Sequence, residues 1–355
     1  MRIVHTSDIH LGSALTARLS AAKIRERRAE LLHTFERCVD EAVYLGAKIF
    51  IIAGDLFDTE RVTRSIKEAV VSVISRAPSI DFLYLPGNHE RLALFDGSVD
   101  IPENLKLFSE DWTYFDYGYV TVAGRSELSA DMFSTLSLDR DKKNIVVLHG
   151  SLADRTSSES IGIRDAADLG IDYLALGHYH SYSKTDIDTR GAAVYSGTLE
   201  GRGFDETGKC GFALIDTDGV SLNYRFTPFA KREHRIIEVD ISEAEERRDT
   251  DGLVAAALAT VPASDIVRIV LTGRHAPELF ADTESILYRY SDKYYHLEIK
   301  DESRIRIDPE EYRYDKSLKG EFIRLVLSRE DLSDGQKDRI IMTGLGALMG
   351  DLGNI

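Results

Sequence analysis

Hydrophobic and polar positions along this 355-residue chain keep changing rhythm. Short continuous apolar runs alternate with longer stretches in which apolar residues recur every three or four positions. The runs predict strands buried on both faces, and the longer stretches predict amphipathic helices. Strands are expected at 2–6, 48–53, 81–85, 119–123, 144–148, 173–176, 192–195 and 211–215. A long helix is expected between the first two. Ser20 caps it, Gly46 ends it, and Ile24, Leu31, Leu32, Phe35, Val39, Ala42 and Val43 form its apolar stripe. A second helix is expected at 63–75, stopping before Pro78. Two packed sheets with helices outside satisfy this pattern, so the fold class is α/β.

After Pro228 the rhythm changes. A strand at 234–241 is followed by a capping-box pattern, Ser242 with Glu245, and an Ala-rich helix at 252–261. Strands at 266–272 and 293–299 and two terminal helices near 318–328 and 335–349 complete a smaller α+β module. The expected domains are therefore 1–228 and 229–355. Ile340, Ile341, Leu345, Leu348 and Met349 form either a docking face or, as the plainer reading, a face packed on its own module. There is no internal repeat and no low-complexity tract.

Composition narrows the class. The net charge is −16, from 44 Lys and Arg against 60 Asp and Glu. That argues mildly against broad nucleic-acid binding through phosphate neutralisation, but it leaves room for a local basic groove or a partner that holds DNA. Two distant cysteines, Cys38 and Cys210, argue against a disulfide framework and fit a reducing cytoplasm. No stretch has the length of a membrane span, and the first residues lack a signal-peptide pattern.

The chemistry gathers in five short blocks, each after an apolar run. They are Asp8-Ile9-His10, Gly54-Asp55-Leu56-Phe57-Asp58, Gly87-Asn88-His89-Glu90, His149-Gly150 and Gly177-His178-Tyr179-His180. Ligands in α/β folds sit at the carboxyl ends of buried strands, where every block falls. Carboxylates, an amide oxygen and imidazoles suit manganese, iron or zinc. With two such metals a site can hold a phosphate and activate a water against it. Each block alone has a plainer reading. Asp8 and His10 read as a turn aspartate beside a surface histidine, Asp58 as a helix cap, and His149 as a satisfied structural histidine. Together they point to a metal site. His5 reads as core or as support for that site, and His33, His234, His275 and His296 as surface or structural residues.

At these residues the chain resembles the calcineurin-like metallophosphoesterase superfamily. The opening Val4-His5-Thr6-Ser7-Asp8-Ile9-His10-Leu11-Gly12 and the run from Gly54 to Thr59 resemble the SbcD/Mre-type DNA-repair nucleases. The segments from Tyr195 to Gly208 and from Ser317 to Phe322 are similar to the YhaO-type bacterial branch. The resemblance implies a four-layer α/β/β/α sandwich. It implies Asp8, His10, Asp55 and His180 at one metal and Asp55, Asn88, His149 and His178 at the other, with Asp55 bridging. His89 would protonate or position the leaving group, and Asp58 would orient His89. It further implies manganese-dependent hydrolysis of DNA, an SbcC-like ATPase partner, and allows a homodimer.

The expected function is thus a two-metal DNA nuclease in DNA repair, with exonuclease action. The alternative is a nucleotide or small-molecule phosphodiesterase or phosphatase of the same superfamily. The module after Pro228 favours the nuclease, because a minimal phosphoesterase does not need it. Thr59-Glu60, where protein phosphatases carry Arg-Gly, points away from a protein phosphatase. A non-enzymatic scaffold has no reason to keep seven metal ligands.

Overall fold

The computed structural model describes residues 1–355 apart from 14, 16–18, 60, 88–89, 91–93, 95–96, 276–278, 280–282, 307–309, 311 and 349–355. The chain divides into two compact units, Met1–Glu233 and His234–Ile355.

The first unit is built on two six-stranded sheets. One runs, edge to edge, β14 (Leu222–Pro228), β13 (Gly211–Thr217), β1 (Arg2–Thr6), β2 (Ile49–Ala53), β3 (Asp81–Leu85) and β4 (Leu105–Leu107). The other runs β11 (Ser183–Asp186), β12 (Ala192–Tyr195), β10 (Tyr173–Gly177), β7 (Lys143–His149), β6 (Val120–Gly124) and β5 (Thr113–Asp116). A small ribbon, β8 (Ser151–Ala153) with β9 (Ser160–Gly162), lies outside both. Neighbours from β1 to β4 pair in parallel, as do β6, β7, β10 and β12.

Layering explains the unbroken apolar runs. In β2, Phe50 and Ile52 face a core shared with α1 (Ala21–Tyr44) and α2 (Arg64–Ser75), where Leu31, Phe35, Val39, Val70 and Ile74 pack. Ile49, Ile51 and Ala53 point the other way, into the core between the sheets with Ile145, Val147 and Ala175. A strand with both faces buried has no place for a polar residue, and each fully buried Ile or Phe contributes roughly 1.5–3 kcal/mol. The far face of the second sheet is covered more thinly. Met132 and Phe133 of a single 3-10 turn, Ala166 of the four-residue α3 (Ile163–Ala166), and loop residues cover it. The fourth layer of the α/β/β/α sandwich is thus mostly loop.

The helices start where the chain's polar residues allow. Ser20 accepts from the Lys23 N–H at 3.4 Å to open α1, and Thr63 precedes α2. The expected stripe of α1 is wrong at one end, because Val43 is 45% exposed. The helix instead buries Arg27, Glu30 and Thr34, which meet Glu200 and Arg232 in an internal ion cluster.

The second unit carries a parallel sheet, β15 (His234–Asp240), β16 (Ile266–Thr272) and β18 (His296–Asp301). Its crossover helices are α4 (Arg247–Leu258) and α5 (Thr283–Tyr290), and Val254, Leu258, Ile286 and Tyr290 bury against Val267, Ile269 and Leu271. The α4 capping box is Glu246 with Asp249, not Ser242 with Glu245. Ser242 is engaged elsewhere, since its Oγ accepts from the Arg274 N–H at 3.0 Å. A two-stranded ribbon, β17 (Arg274–His275) with β19 (Arg304–Ile305), leads to the hairpin of α6 (Leu318–Leu327) and α7 (Asp334–Leu348). Ile341 and Leu345 bury against Ile323 and Val326, so this part of α7 packs on its own module. Met349 lies outside the described residues. No helix among the described residues is long and apolar enough to cross a membrane.

Candidate metal centre

The carboxyl ends of β1, β2, β7 and β10 converge, and the chain continues the ladder beyond them. The Asp8 N–H donates to Gly54 O at 3.0 Å, His10 N–H to Asp55 O at 2.9 Å, and Leu11 N–H to Leu56 O at 2.8 Å. These bonds hold two loops side by side where helix or sheet geometry has ended. Asp8, His10 and Asp55 adopt φ of 51°, 49° and 52°, and His178 adopts 103°. Left-handed backbone is uncommon for residues with a Cβ, and each instance costs on the order of 1 kcal/mol or more. Four such residues at one place mark a site whose surroundings over-determine its geometry.

Two glycines clear the space. A Cβ on Gly54 would lie 2.0 Å from His149 Nδ1, and one on Gly177 would lie 1.9 Å from Ala53 O. The His149 ring therefore lies directly over the turn out of β2. Its Nδ1 is 2.9 Å from Ala53 O. A carbonyl only accepts, so Nδ1 carries a proton, and Nε2 is the nitrogen left to take either a second proton or a metal ion. That buried Nε2 has no hydrogen-bond partner and lies 3.4 Å from Asp55 Oδ2.

Two groups of ligand-capable side chains result: Asp8, His10 and His180, and Asp8, Asp55 and His149, with the ligand atoms of each group within 4.8 Å of one another. His10 Nε2 lies 4.0 Å from Asp8 Oδ1 and 3.8 Å from Asp55 Oδ2, and His180 Nε2 lies 3.8 Å from Asp8 Oδ1. Asp8 and Asp55 thus both face histidines of the two groups. His178 belongs to neither group. Its ring is exposed and sits 5.5 Å from the His149 ring, while its backbone N–H donates to both Asp8 oxygens at 3.0 Å. Asp58 Oδ1 lies 3.3 Å from His10 Nδ1. Asn88 and His89 lie outside the described residues.

Electrostatics agree with a cation site. Burial opposes protonation of His149, but the Asp55 and Asp8 carboxylates outweigh it and raise its pKa to about 9. Carboxylates that draw a proton so strongly draw a divalent ion as well. Burial and the neighbouring His149 lower His178, whereas a hydrogen bond to Glu206 raises His180. The donor set of carboxylates and imidazoles, with the buried His149 Nε2 facing the Asp55 carboxylate, fits divalent metal ions.

Supporting residues complete the centre, and of those named next only Glu90 stands in one of the five blocks. Thr198 Oγ1 donates to Asp8 O at 2.7 Å. The Glu90 carboxyl accepts from Leu56, Phe57 and Gly87 N–H groups, so it ties the third block to the second. Burial pushes Glu90 up to about 7 despite those hydrogen bonds. Glu206 lies 2.7 Å from His180 Nδ1, and Arg202 reaches both Glu206 and Asp58. The signal for these was weak, since single polar residues after strands are common.

The sequence profile described as Calcineurin-like phosphoesterase matches residues 1–182. The chain belongs to the calcineurin-like phosphoesterase family. That family hydrolyses phosphoester bonds and uses two divalent metals. Relatives of this metallophosphoesterase include the DNA double-strand break repair protein Mre11 of Methanopyrus kandleri, 28% identical over 297 residues, covering 73% of this chain and 64% of that protein. The uncharacterized metallophosphoesterase YhaO of Bacillus subtilis is 25% identical, covering 78% of this chain and 73% of its own length. The SbcD component of the SbcCD nuclease of Staphylococcus epidermidis is 23% identical, covering 84% of this chain and 89% of its own length. The chain thus spans just under two thirds of the Methanopyrus protein and more of the other two.

Proposed function

We propose that this metallophosphoesterase is a manganese-dependent DNA nuclease, an exonuclease working in DNA repair with an SbcC-like ATPase. The observation that carries the reading is the reach of the similarity. The family profile ends at residue 182, yet the DNA-repair and nuclease relatives cover 73% and 84% of the chain. A similarity that long takes in residues a minimal phosphoesterase does not need. We assign Asp8, His10, Asp55 and His180 to one ion and Asp55, Asn88, His149 and His178 to the other, with Asp55 shared. Bound divalent ions supply the Lewis acidity that neutralises a phosphate and acidifies a water.

The chain's own residues do the rest. The His178 N–H and the Thr198 hydroxyl fix Asp8. Glu90 holds the Gly87 loop against the Asp55 loop. His89 follows directly on Asn88, and in this reading it donates a proton to the leaving oxygen. In this reading Asp58 orients His89, and its Oδ1 also lies 3.3 Å from His10 Nδ1. The reading includes a cytoplasmic location. A net charge of −16 favours one rival, a phosphodiesterase for nucleotides or small molecules.

The deciding experiment is manganese-dependent cleavage of linear double-stranded and single-stranded DNA, with Asp55→Ala as control and a panel of nucleotide phosphodiesters alongside. DNA cleavage that disappears in the control is the expected result. Turnover of small diesters with DNA left intact, even with the ATPase added, would move the chain to the rival class.

A further inference from the structure

The histidines of the two ligand groups are backed differently. His149 is backed by a backbone carbonyl, Ala53 O. His180 is backed by a side-chain carboxylate, with Glu206 Oε1 2.7 Å from its Nδ1, and Asp58 Oδ1 stands 3.3 Å from His10 Nδ1 as an ion-pair contact outside hydrogen-bond geometry. Arg202 joins these two acids. Its Nη1 lies 3.2 Å from Asp58 Oδ1 and its Nε 2.9 Å from Glu206 Oε1. The Arg202 backbone N–H also donates to Glu206 Oε2 at 2.7 Å. Arg202 Nη2 stands 3.2 Å from His180 Nδ1. A guanidinium only donates, and the carboxylate is nearer to that ring nitrogen, so Nδ1 donates to Glu206 and Nε2 is left to face Asp8.

We propose that Glu206, Arg202 and Asp58 form a carboxylate–arginine–carboxylate clamp that presets His10 and His180 as metal ligands, making the ion held by Asp8, His10 and His180 the tighter of two. The inference rests on the metal-centre reading above. A carboxylate behind an imidazole fixes its tautomer and makes it a stronger donor than a carbonyl does. Two acids this close to one pocket repel each other, and the Arg202 guanidinium between them offsets that repulsion. All three are positioning residues that act through the histidines. Arg202 and Glu206 stand four apart in the loop after β12, and the Glu206 N–H donates to Gly203 O at 3.1 Å, so the loop closes on itself. The clamp is therefore built into one short segment and reaches across to the Asp55 loop only through Asp58.

The test is calorimetric titration of the full chain with Mn²⁺, with metal content measured after dialysis and folding checked by circular dichroism. The wild-type chain should take up two ions in two distinguishable steps. Glu206→Gln keeps the side chain's size and removes its charge. It should weaken the tighter step about 10- to 100-fold and leave the weaker step in place. Glu206→Asp should recover part of that loss, and it serves as the readout if the Gln variant does not fold. Arg202→Met should weaken the same step by less. If both Glu206 variants fold and bind two ions as the wild type does, the clamp is wrong while the metal centre stands. Equal weakening of both steps also overturns it. An Arg202→Met protein with unchanged metal binding and a raised KM makes Arg202 a substrate-binding group instead. A wild-type chain that binds no divalent ion would refute the metal-centre reading itself.

Discussion

Both units bury histidines, yet they do different things with them. In the first unit His10 and His149, 2% and 5% exposed, converge with Asp8 and Asp55. In the second unit His234 and His275 are equally buried, at 1% and 2%, and belong to no ligand-capable group among the described residues. Backbone strain divides the same way. Asp8, His10, Asp55 and His178 sit at left-handed φ, and none of the described non-glycine residues of the second unit does. Burial of a histidine is therefore no sign of a site. Convergence with carboxylates on a strained backbone is, because only a strongly cross-braced frame keeps like charges and costly dihedrals together.

The strongest way to break this contrast is to remove Asp55. Asp55→Asn tolerates the left-handed backbone but takes a charge from between His10 and His149. Phosphodiester turnover should fall by more than about 100-fold, and the rise in Tm on adding manganese should disappear. His275→Gln in the second unit should change neither turnover nor metal content. A change in either of them would erase the distinction between the units. Next in size is a cavity in the second unit. Ile341 is fully buried against α6, so Ile341→Ala should cost roughly 2–5 kcal/mol in urea unfolding. The metal content should stay at the wild-type value, since no metal ligand proposed above lies in that unit.

Much of the first unit was legible because its central strands are buried on both faces and so carry unmistakable apolar runs. The expected spans 2–6, 81–85 and 192–195 coincide with β1, β3 and β12. The strands that escaped reading are edge or ribbon strands. β11 reads Ser-Lys-Thr-Asp and β14 alternates half-buried with exposed residues. An edge strand buries one face at most, so no hydrophobic run announces it. The blocks of candidate ligands were legible because they follow buried strands. Arg202 and Glu206 carried no such mark. An Arg and a Glu four apart are common on any surface, and only the three-dimensional approach of Asp58 and His180 gives this pair a role. The polar side of α1 was hidden for a similar reason. Arg27 and Glu30 look solvated in sequence and become internal only because Glu200 and Arg232 come from far along the chain.

A subtler test uses pH. In the metal-free protein the Asp55 and Asp8 carboxylates raise His149 from 6.5 to about 9. Its protonation therefore adds stability that is fully present below about pH 6.5 and is lost as pH rises through 9. Glu90, pushed by burial from 4.5 to about 7, acts in the same direction but over a lower window. Between pH 7 and 9 the metal-free chain should lose stability through His149. A divalent ion competes with that same proton, so metal binding should tighten over the same window. The Tm gap between manganese-loaded and metal-free protein should widen from pH 7 to 9. A constant or narrowing gap would mean that His149 does not exchange its proton for a metal.

The smallest effect sets the scale for the rest. Arg64 and Glu68 stand four apart on α2, 2.8 Å from each other, with side chains 74% and 54% exposed. Arg202 and Glu206 have the same spacing, but their side chains are 12% and 1% exposed. Water screens the first pair and side-chain entropy opposes it, so Glu68→Ala should change stability by less than about 0.5 kcal/mol. Raising the salt to about 1 M should remove even that, because the screening length falls to about 3 Å. The Arg202–Glu206 pair is shielded from that screening and ends on a histidine of the proposed metal centre. If Glu68→Ala proved as costly as Glu206→Ala, spacing rather than burial would set the strength of these pairs, and the contrast between a solvated helix face and the strained strand ends would lose its electrostatic basis.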